Sequence, residues 1–474
     1  MSIPKPVTVD RRDAIKLGAG AVAGLAAGLA KSAPAIGGRS RPNILILCTD
    51  QQHRDTIAAD GCRYVTTPGQ DRLAELGVTF RAGYSTNPIC SPARSSIFTG
   101  RMPCETGVWA NGQGIHESVP NIGQWLSEQA GYETIYTGKW HIPASQTAEI
   151  PGFRVPVIGL SGQGNLGDSS ISLGCEGYLR NHDPDEPFCL VASFLQPHDI
   201  CQWLRTNQAN VDDLRYPEIA SDLPPLPANF AINPDEPPEI AKRRSGNEPT
   251  KGGWSELHWR YYRWCYFRMI EQVDMEIARV VRALEESGQA ENTLICMVSD
   301  HGEGLGHHQM VRKNFLFDEA ANVPFQLAFP GHGRAGVVDL TTPVSHADIV
   351  PTICDYVGID APPHMRGKSL RPLLEGDSLN RDYIVSEVSA GPFGRMVRTE
   401  RYKYMDYIGL PTQEWRPGTE QLFDMQADPG ETRNLAASQE HADTLGDHRR
   451  MLAEWEDRIV FAPTLPEERM WPRG

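Results

Sequence analysis

Cys90-Ser91-Pro92-Ala93-Arg94 places a thiol beside a helix-start signal. Ser91 suits the N-cap, Pro92 the first helical position, and Ser95-Ser96-Ile97-Phe98 continues the turn. That arrangement aims Cys90 at the positive end of a helix, where anions bind. Four polar clusters elsewhere offer partners. Asp50-Gln51 and Asp300-His301 supply carboxylate and amide oxygens that suit a hard divalent cation. Lys139 and His141 alternate in Gly138-Lys139-Trp140-His141 and so share a face of an extended segment. His198 follows Gln196-Pro197, and Lys313 stands on the far side of His301 with Arg312 next to it.

Each cluster follows an apolar run. Ile44–Cys48 leads into Thr49-Asp50-Gln51, and Tyr132–Tyr136 into Thr137–His141. Cys189–Leu195 leads into Gln196-Pro197-His198, and Leu294–Val298 into Ser299–Gly302. Continuous apolar runs of this length predict strands of a parallel sheet covered on both faces. In open α/β sheets ligands sit beyond the carboxyl ends of the strands. The four clusters are therefore predicted to converge on one site. Helices are predicted from Pro68 to Gly77 and from about Tyr262 to Glu286. In the second, Met269, Val273, Ile277, Val280 and Leu284 repeat at helical spacing as a core stripe.

The C-x-P-x-R stretch, continued by Ser95-Ser96-Ile97-Phe98-Thr99-Gly100-Arg101, resembles the signature of type I sulfatases. Gly138-Lys139-Trp140-His141 resembles the second signature of that family, and Asp50-Gln51, Pro197-His198 and Asp300-His301 match further elements. Five motifs stand in the family's order between Arg41-Pro42-Asn43 and Asn434-Leu435. The resemblance implies an alkaline phosphatase-like α/β fold: a large mixed, mainly parallel sheet between helices, with a small C-terminal antiparallel subdomain. It implies that a separate formylglycine-generating enzyme oxidises Cys90 to an aldehyde. The hydrate offers one oxygen to attack sulfur and a second to expel sulfate. It further implies one Ca2+ held by Asp50, Gln51, Asp300 and His301 with residue 90, although His301 leaves room for magnesium or manganese. Arg94 would hydrogen-bond the modified residue, Lys139 and Lys313 would hold sulfate, His141 would take the hydrate's proton, and His198 would protonate the leaving oxygen. His307 and His308 stand where the family often has Asp-His, and Asn111 is a candidate lining residue.

The bulk properties bound these readings. The chain has 474 residues and a net charge of −15, which argues against a nucleic-acid binder. An acidic protein that holds an anion needs a local cluster of cations, here Arg94, Lys139, Lys313 and the metal. Ten cysteines at irregular spacing, with no C-x-x-C, argue against zinc and against a disulfide scaffold. Arg11-Arg12 before the Gly/Ala-rich run Leu17–Ala30, with Ala33-Pro34-Ala35 after it, resembles a twin-arginine export signal. The expected division is a signal peptide over 1–35, a catalytic domain over 36–375 and a C-terminal subdomain over 376–474. The expected destination is periplasmic or secreted, reached through the twin-arginine machinery, with no stable membrane insertion.

The expected activity is hydrolysis of sulfate esters of carbohydrates. Pro217–Pro249 reads as a surface excursion able to wall the pocket. Trp203 reads as a sugar platform or as packed core. Arg243 and Arg244 read as a solvated pair, with an acidic group on the substrate as the alternative partner. No aromatic or carboxylate box for choline is evident. Two other readings remain: a phosphonate monoester or phosphodiester hydrolase of the same superfamily, disfavoured by Lys139-Trp140-His141, and a non-catalytic binder of sulfated glycans.

Overall fold

A computed structural model describes residues 41–144, 146–159, 164–209, 216–391, 393–407 and 419–464. The predicted export signal lies outside the described residues. An eight-stranded sheet runs in the order β5-β4-β6-β1-β7-β8-β2-β9. In chain order these are β1 (Asn43–Asp50), β2 (Gly77–Phe80), β4 (Glu133–Gly138), β5 (Arg154–Ile158), β6 (Phe188–Pro197), β7 (Thr293–Ser299), β8 (Phe325–Ala328) and β9 (Val337–Asp339). The short β3 (Gly83–Tyr84) and β10 (Val344–Ser345) pair with each other. The strands from β5 to β7 are parallel, and β8 is antiparallel to both its neighbours.

The sheet is buried on both faces because its central strands carry apolar side chains in both directions, as in Ile44–Cys48 of β1 and Leu294–Val298 of β7. Ile44, Ile46 and Cys48 of β1 pack with Ile97, Phe98, Leu126 and Ile353 on one face. Leu45 and Leu47 pack with Ile171, Val273, Ile277 and Val280 on the other. That second layer is built by helices Pro68–Leu76, Gly164–Asn181 and Glu256–Glu286. The last begins six residues before the predicted start, where the Ser255 hydroxyl accepts from His258 N–H. Its stripe is core as expected, except that Met269 is only partly buried.

A four-stranded antiparallel sheet follows: β11 (Ile384–Val388), β12 (Gly394–Arg398), β13 (Tyr402–Asp406) and β14 (Glu420–Asp424). Helix Ala442–Arg458 packs on it through Leu445, Leu452 and Trp455. Met396, Met405 and Phe423 also share a core with Tyr84, Phe315 and Phe317. The fold class read from the sequence is the one observed. No helix among the described residues is long and apolar enough to cross a membrane. The excursion Pro217–Pro249 is folded rather than loose: it contains helix Pro238–Ser245, whose Ile240 is fully buried.

Candidate active site

The four strands that carry the polar clusters are neighbours, in the order β4-β6-β1-β7, and all run the same way. Their carboxyl ends deliver Lys139, His198, Asp50-Gln51 and Asp300-His301 to one place. Gly138 makes this possible at β4. Its φ is +99°, and a Cβ there would lie 2.0 Å from the Ser193 carbonyl of β6. The chain beyond it turns inward, and Lys139 Nζ reaches Asp50 Oδ2 at 2.5 Å.

Cys90 opens helix Cys90–Thr99, which lies on the same sheet end. The start differs from the sequence expectation. Ile89 is the N-cap and Ser91 is already inside the helix. The Ser91 N–H donates instead to Asn111 Oδ1 at 3.0 Å, and its hydroxyl donates to the His141 carbonyl. An outside amide thus does the work of a cap, and Cys90 sits on the first turn.

Cys90 Sγ lies 3.1 Å from His301 Nε2, 3.4 Å from Lys313 Nζ and 3.8 Å from Asp50 Oδ1. The ligand-type atoms of Asp50, Cys90, Asp300 and His301 all fall within 4.8 Å of one another, and all four residues are buried. Arg94 and Lys139 pair with the Oδ2 atoms of the two carboxylates. The oxygen, sulfur and nitrogen donors gathered around Cys90 are of the types a divalent metal takes, so the set fits one. The Gln51 amide oxygen joins from the side. It accepts from Lys313 Nζ at 2.5 Å, while its nitrogen donates to Glu303.

Burial and the Asp50 charge push the Cys90 thiol up, but Lys313, Lys139 and His301 overcome them and leave it well below its usual value. Asp50 and Asp300 split. Against burial, the Lys139 and Arg94 charges hold Asp50 well below the usual carboxylate range. Burial and the Asp50 charge raise Asp300. His301 is raised despite burial, chiefly by Asp300. His141 and His198 are both lowered, first by burial; Lys313 and Lys139 add to this at His198. Both histidines are thus neutral at rest. His141 can accept a proton. An anion that offsets the two lysines raises His198 and lets it take up the proton that a general acid must carry.

Arg94 departs from its expected place. Its Nε donates to Asp300 Oδ2 at 2.9 Å, Nη2 to Asp50 Oδ2 at 3.2 Å, and Nη1 to Ser193 Oγ and the Lys139 carbonyl. It clamps the two carboxylates with two of its five N–H donors and spends two more on Ser193 and the Lys139 carbonyl. Lys139 and His141 face the site, yet not along a regular extended segment, since His141 has φ +65°. Between Arg312 and Lys313, it is Lys313 whose amine meets Cys90; Arg312 pairs with Glu248.

His307 and His308 lie apart from the thiol. His307 stacks on His53 and bonds Asn229, and His308 also faces Asn229. Trp203 is packed among Trp254, His258, Tyr261 and Tyr262, so the platform reading gives way to core packing. The solvated pair is also overturned: Arg244 is buried and paired with Glu236, and Arg243 donates to the Lys313 carbonyl. Sequence reading missed Glu303, which is fully buried. It accepts from Gln51, Tyr262 Oη and the Arg312 N–H, and so orients two site segments. Its only signal was its place two residues after His301.

The comparisons with known proteins agree with this geometry. The family model described as Sulfatase matches residues 42–359. The chain belongs to the sulfatase family. A second model, N-sulphoglucosamine sulphohydrolase, C-terminal, matches residues 306–457. This sulfatase is 32% identical over 466 residues to a Delta 4,5-hexuronate-2-O-sulfatase of Bacteroides thetaiotaomicron, covering 90% of this chain and 91% of that one. It is 27% identical over 469 residues to an arylsulfatase of Clostridium perfringens, covering 87% and 94%. Among solved structures, a 2-O GAG sulfatase superposes with TM-score 0.78 at 30% identity, covering 88% and 92%. A phosphonate monoester hydrolase of Agrobacterium radiobacter superposes with TM-score 0.71 at 23% identity, covering 88% and 96%, which shows the shared fold alone. The protein is a sulfuric ester hydrolase of the alkaline phosphatase-like superfamily.

Proposed function

We propose that this sulfatase hydrolyses sulfate esters of carbohydrates, with residue 90 as the nucleophile in its formylglycine form. The observation that carries the reading is Cys90 Sγ, set between the Lys313 amine, the His301 ring and Asp50 at the end of a helix. The resemblance to a hexuronate sulfatase supports the carbohydrate class. Asp50, Asp300 and His301, with the Gln51 amide oxygen, would hold a divalent cation, with Ca2+ favoured by the oxygen donors. Such a cation, with the aldehyde hydrate, would supply an activated hydroxyl and screen the sulfate charge.

The chain's own residues do the rest. Lys139 and Lys313 bring two positive charges to the sulfate oxygens. His198 gives a proton to the departing sugar oxygen as the S–O bond to it breaks. His141, neutral at rest, takes the proton of the second hydroxyl as sulfate leaves. Arg94 keeps Asp50 and Asp300 fixed without touching the reacting atoms. Twin-arginine export to the periplasm or beyond belongs to the same reading and rests on Arg11-Arg12. A division near residue 375 is supported by the change from a parallel to an antiparallel sheet.

A substrate panel with intact-mass measurement tests the proposal. The active chain should weigh less than the same chain with unmodified Cys90 by the difference between CH2SH and CHO. It should prefer sulfated saccharides to nitrophenyl sulfate, choline sulfate and phosphodiesters. Full activity at unmodified mass would overturn the nucleophile. A preference for a phosphodiester would overturn the substrate class.

A further inference from the structure

The rim of the pit holds one cation that the proposed chemistry does not use. Helix Pro238–Ser245 lays Arg243 against the segment after β7. Arg243 Nε donates to the Lys313 carbonyl at 3.0 Å, and Nη2 donates to the same oxygen. The guanidinium therefore rides on the backbone of the residue whose amine is 3.4 Å from Cys90 Sγ. Arg243, Arg312 and Lys313 are partly exposed, whereas Asp50, Cys90, Arg94, Asp300 and His301 are buried. The two arginines thus flank the residue whose amine meets the nucleophile, and both are open in part to solvent.

Their neighbours differ in one respect. Arg244 has the carboxylate of Glu236, and Arg312 that of Glu248. Among the described residues, no carboxylate pairs with Arg243, whose hydrogen bonds go to a neutral carbonyl. Burial and the adjacent Arg312 charge lower its pKa against the more distant pull of Glu303 and Glu248, carboxylates that are bonded to other partners. In a protein of net charge −15, such a cation has been left short of an anion by its local sequence and not by a general excess of base. A guanidinium presents a planar fork that matches a carboxylate.

We propose that Arg243, backed by Arg312, is the subsite for a carboxylate on the sugar whose sulfate reaches residue 90, which makes the substrate a sulfated uronate and not a neutral sulfated hexose. The inference rests on the carbohydrate-sulfatase reading and narrows it. Arg243 is a specificity residue: it meets the substrate but not the reacting atoms.

The test compares kcat/KM for a hexuronate 2-sulfate and for its methyl ester, which removes the charge and keeps the ring. The native enzyme should prefer the free acid by about 10- to 100-fold, the range of one charge-assisted hydrogen-bonded pair. Arg243→Met keeps the stem and should bring that ratio close to one, chiefly by raising KM for the acid. Arg243→Lys should retain part of it. If Arg243 only propped up Lys313, both substrates would suffer together and the ratio would persist, which overturns the proposal. Indifference of the native enzyme to esterification overturns it without any variant. Cleavage of neutral sulfated hexoses in preference to both uronates would sink the subsite and leave the carbohydrate reading standing. Activity on nitrophenyl sulfate alone would sink both.

Discussion

Two clusters of buried charge can be set side by side. In one, Asp50, Asp300, Arg94 and Lys139 meet at the ends of β1, β4 and β7. In the other, Lys403 of β13 pairs with Asp318 at 2.7 Å and Glu431 at 2.8 Å, while Tyr84 Oη joins Arg398 to Asp318. Both shift carboxylates in opposite directions: Asp50 down and Asp300 up, Asp318 down and Glu431 up. By titration alone the two regions look alike. They differ in what borders them. The first adjoins a thiol and the partly exposed Lys313, His141 and His198. The second is closed by Phe317, Met405 and Phe423 and joins the antiparallel sheet to the main body. Perturbed ionisation marks burial, and a nucleophile within reach of solvent marks a site.

The sharpest way to break this contrast is to remove the nucleophile. Cys90→Ala should lower turnover by roughly four orders of magnitude or more, as losing a nucleophile does in enzymes whose residues act as a unit. The fold should persist, because Arg94 and Lys139 still pair with the two carboxylates. Turnover assays with a circular dichroism melt check this, and near-native activity would return Cys90 to the class of inert buried thiols.

The second cluster should respond in the opposite sense. Lys403→Met leaves Asp318 and Glu431 buried without their cation. The expected loss is about 3–5 kcal/mol of stability, measured by urea unfolding. The fraction that remains folded should keep its kcat. A fall in kcat at unchanged stability would mean that the second cluster reaches the chemistry, and the contrast would fail.

The same contrast explains what the sequence disclosed. The strand ends were legible because Ile44–Cys48 and Leu294–Val298 are apolar throughout and Cys189–Leu195 is broken only by Ser193, and their polar exits had to lie on one side of a parallel sheet. Cys90 was legible through the helix-start signal, though its exact cap was not, since Asn111 lies twenty residues away. Pairwise choices were hidden. Nothing local separates Lys313 from Arg312; the left-handed φ of +65° at Arg312 and the Glu303 and Glu248 carboxylates do so in three dimensions. Arg94 lies one turn beyond Cys90, a spacing that aims it at residue 90, but Asp50 and Asp300 accept from the same guanidinium in the fold. Trp203 drew a functional reading because its aromatic neighbours come from the distant segment Trp254–Tyr262.

The smallest expected effect concerns His346, which supports the first cluster from behind. Its Nε2–H donates to the Ser299 carbonyl at 2.9 Å, one residue before Asp300, and its Nδ1 is buried without a partner. Burial, with His301 and Arg94 adding to it and the Ser299 bond opposing, lowers its pKa to about 3. The unfolded chain would titrate near about 6.5. Below that value the unfolded state binds a proton that the folded state refuses, so this contribution to stability is whole above about pH 6.5 and is lost as pH falls toward about 3. The slope is at most about 1.4 kcal/mol per pH unit. Asp168 and Asp274 act in the same window with the opposite sign. Burial raises them to about 7 and about 6, so their contributions are lost as pH rises. Total stability is therefore a poor reporter, and the difference between the native protein and His346→Gln isolates the histidine. Glutamine can still donate to Ser299 but does not titrate. Urea unfolding of both should show the native protein losing ground to the variant by up to about 1.4 kcal/mol per unit as pH is lowered from about 6.5 to about 5. A constant difference across that range would mean that His346 is protonated in the folded state, with Nδ1 finding an acceptor near Asp300.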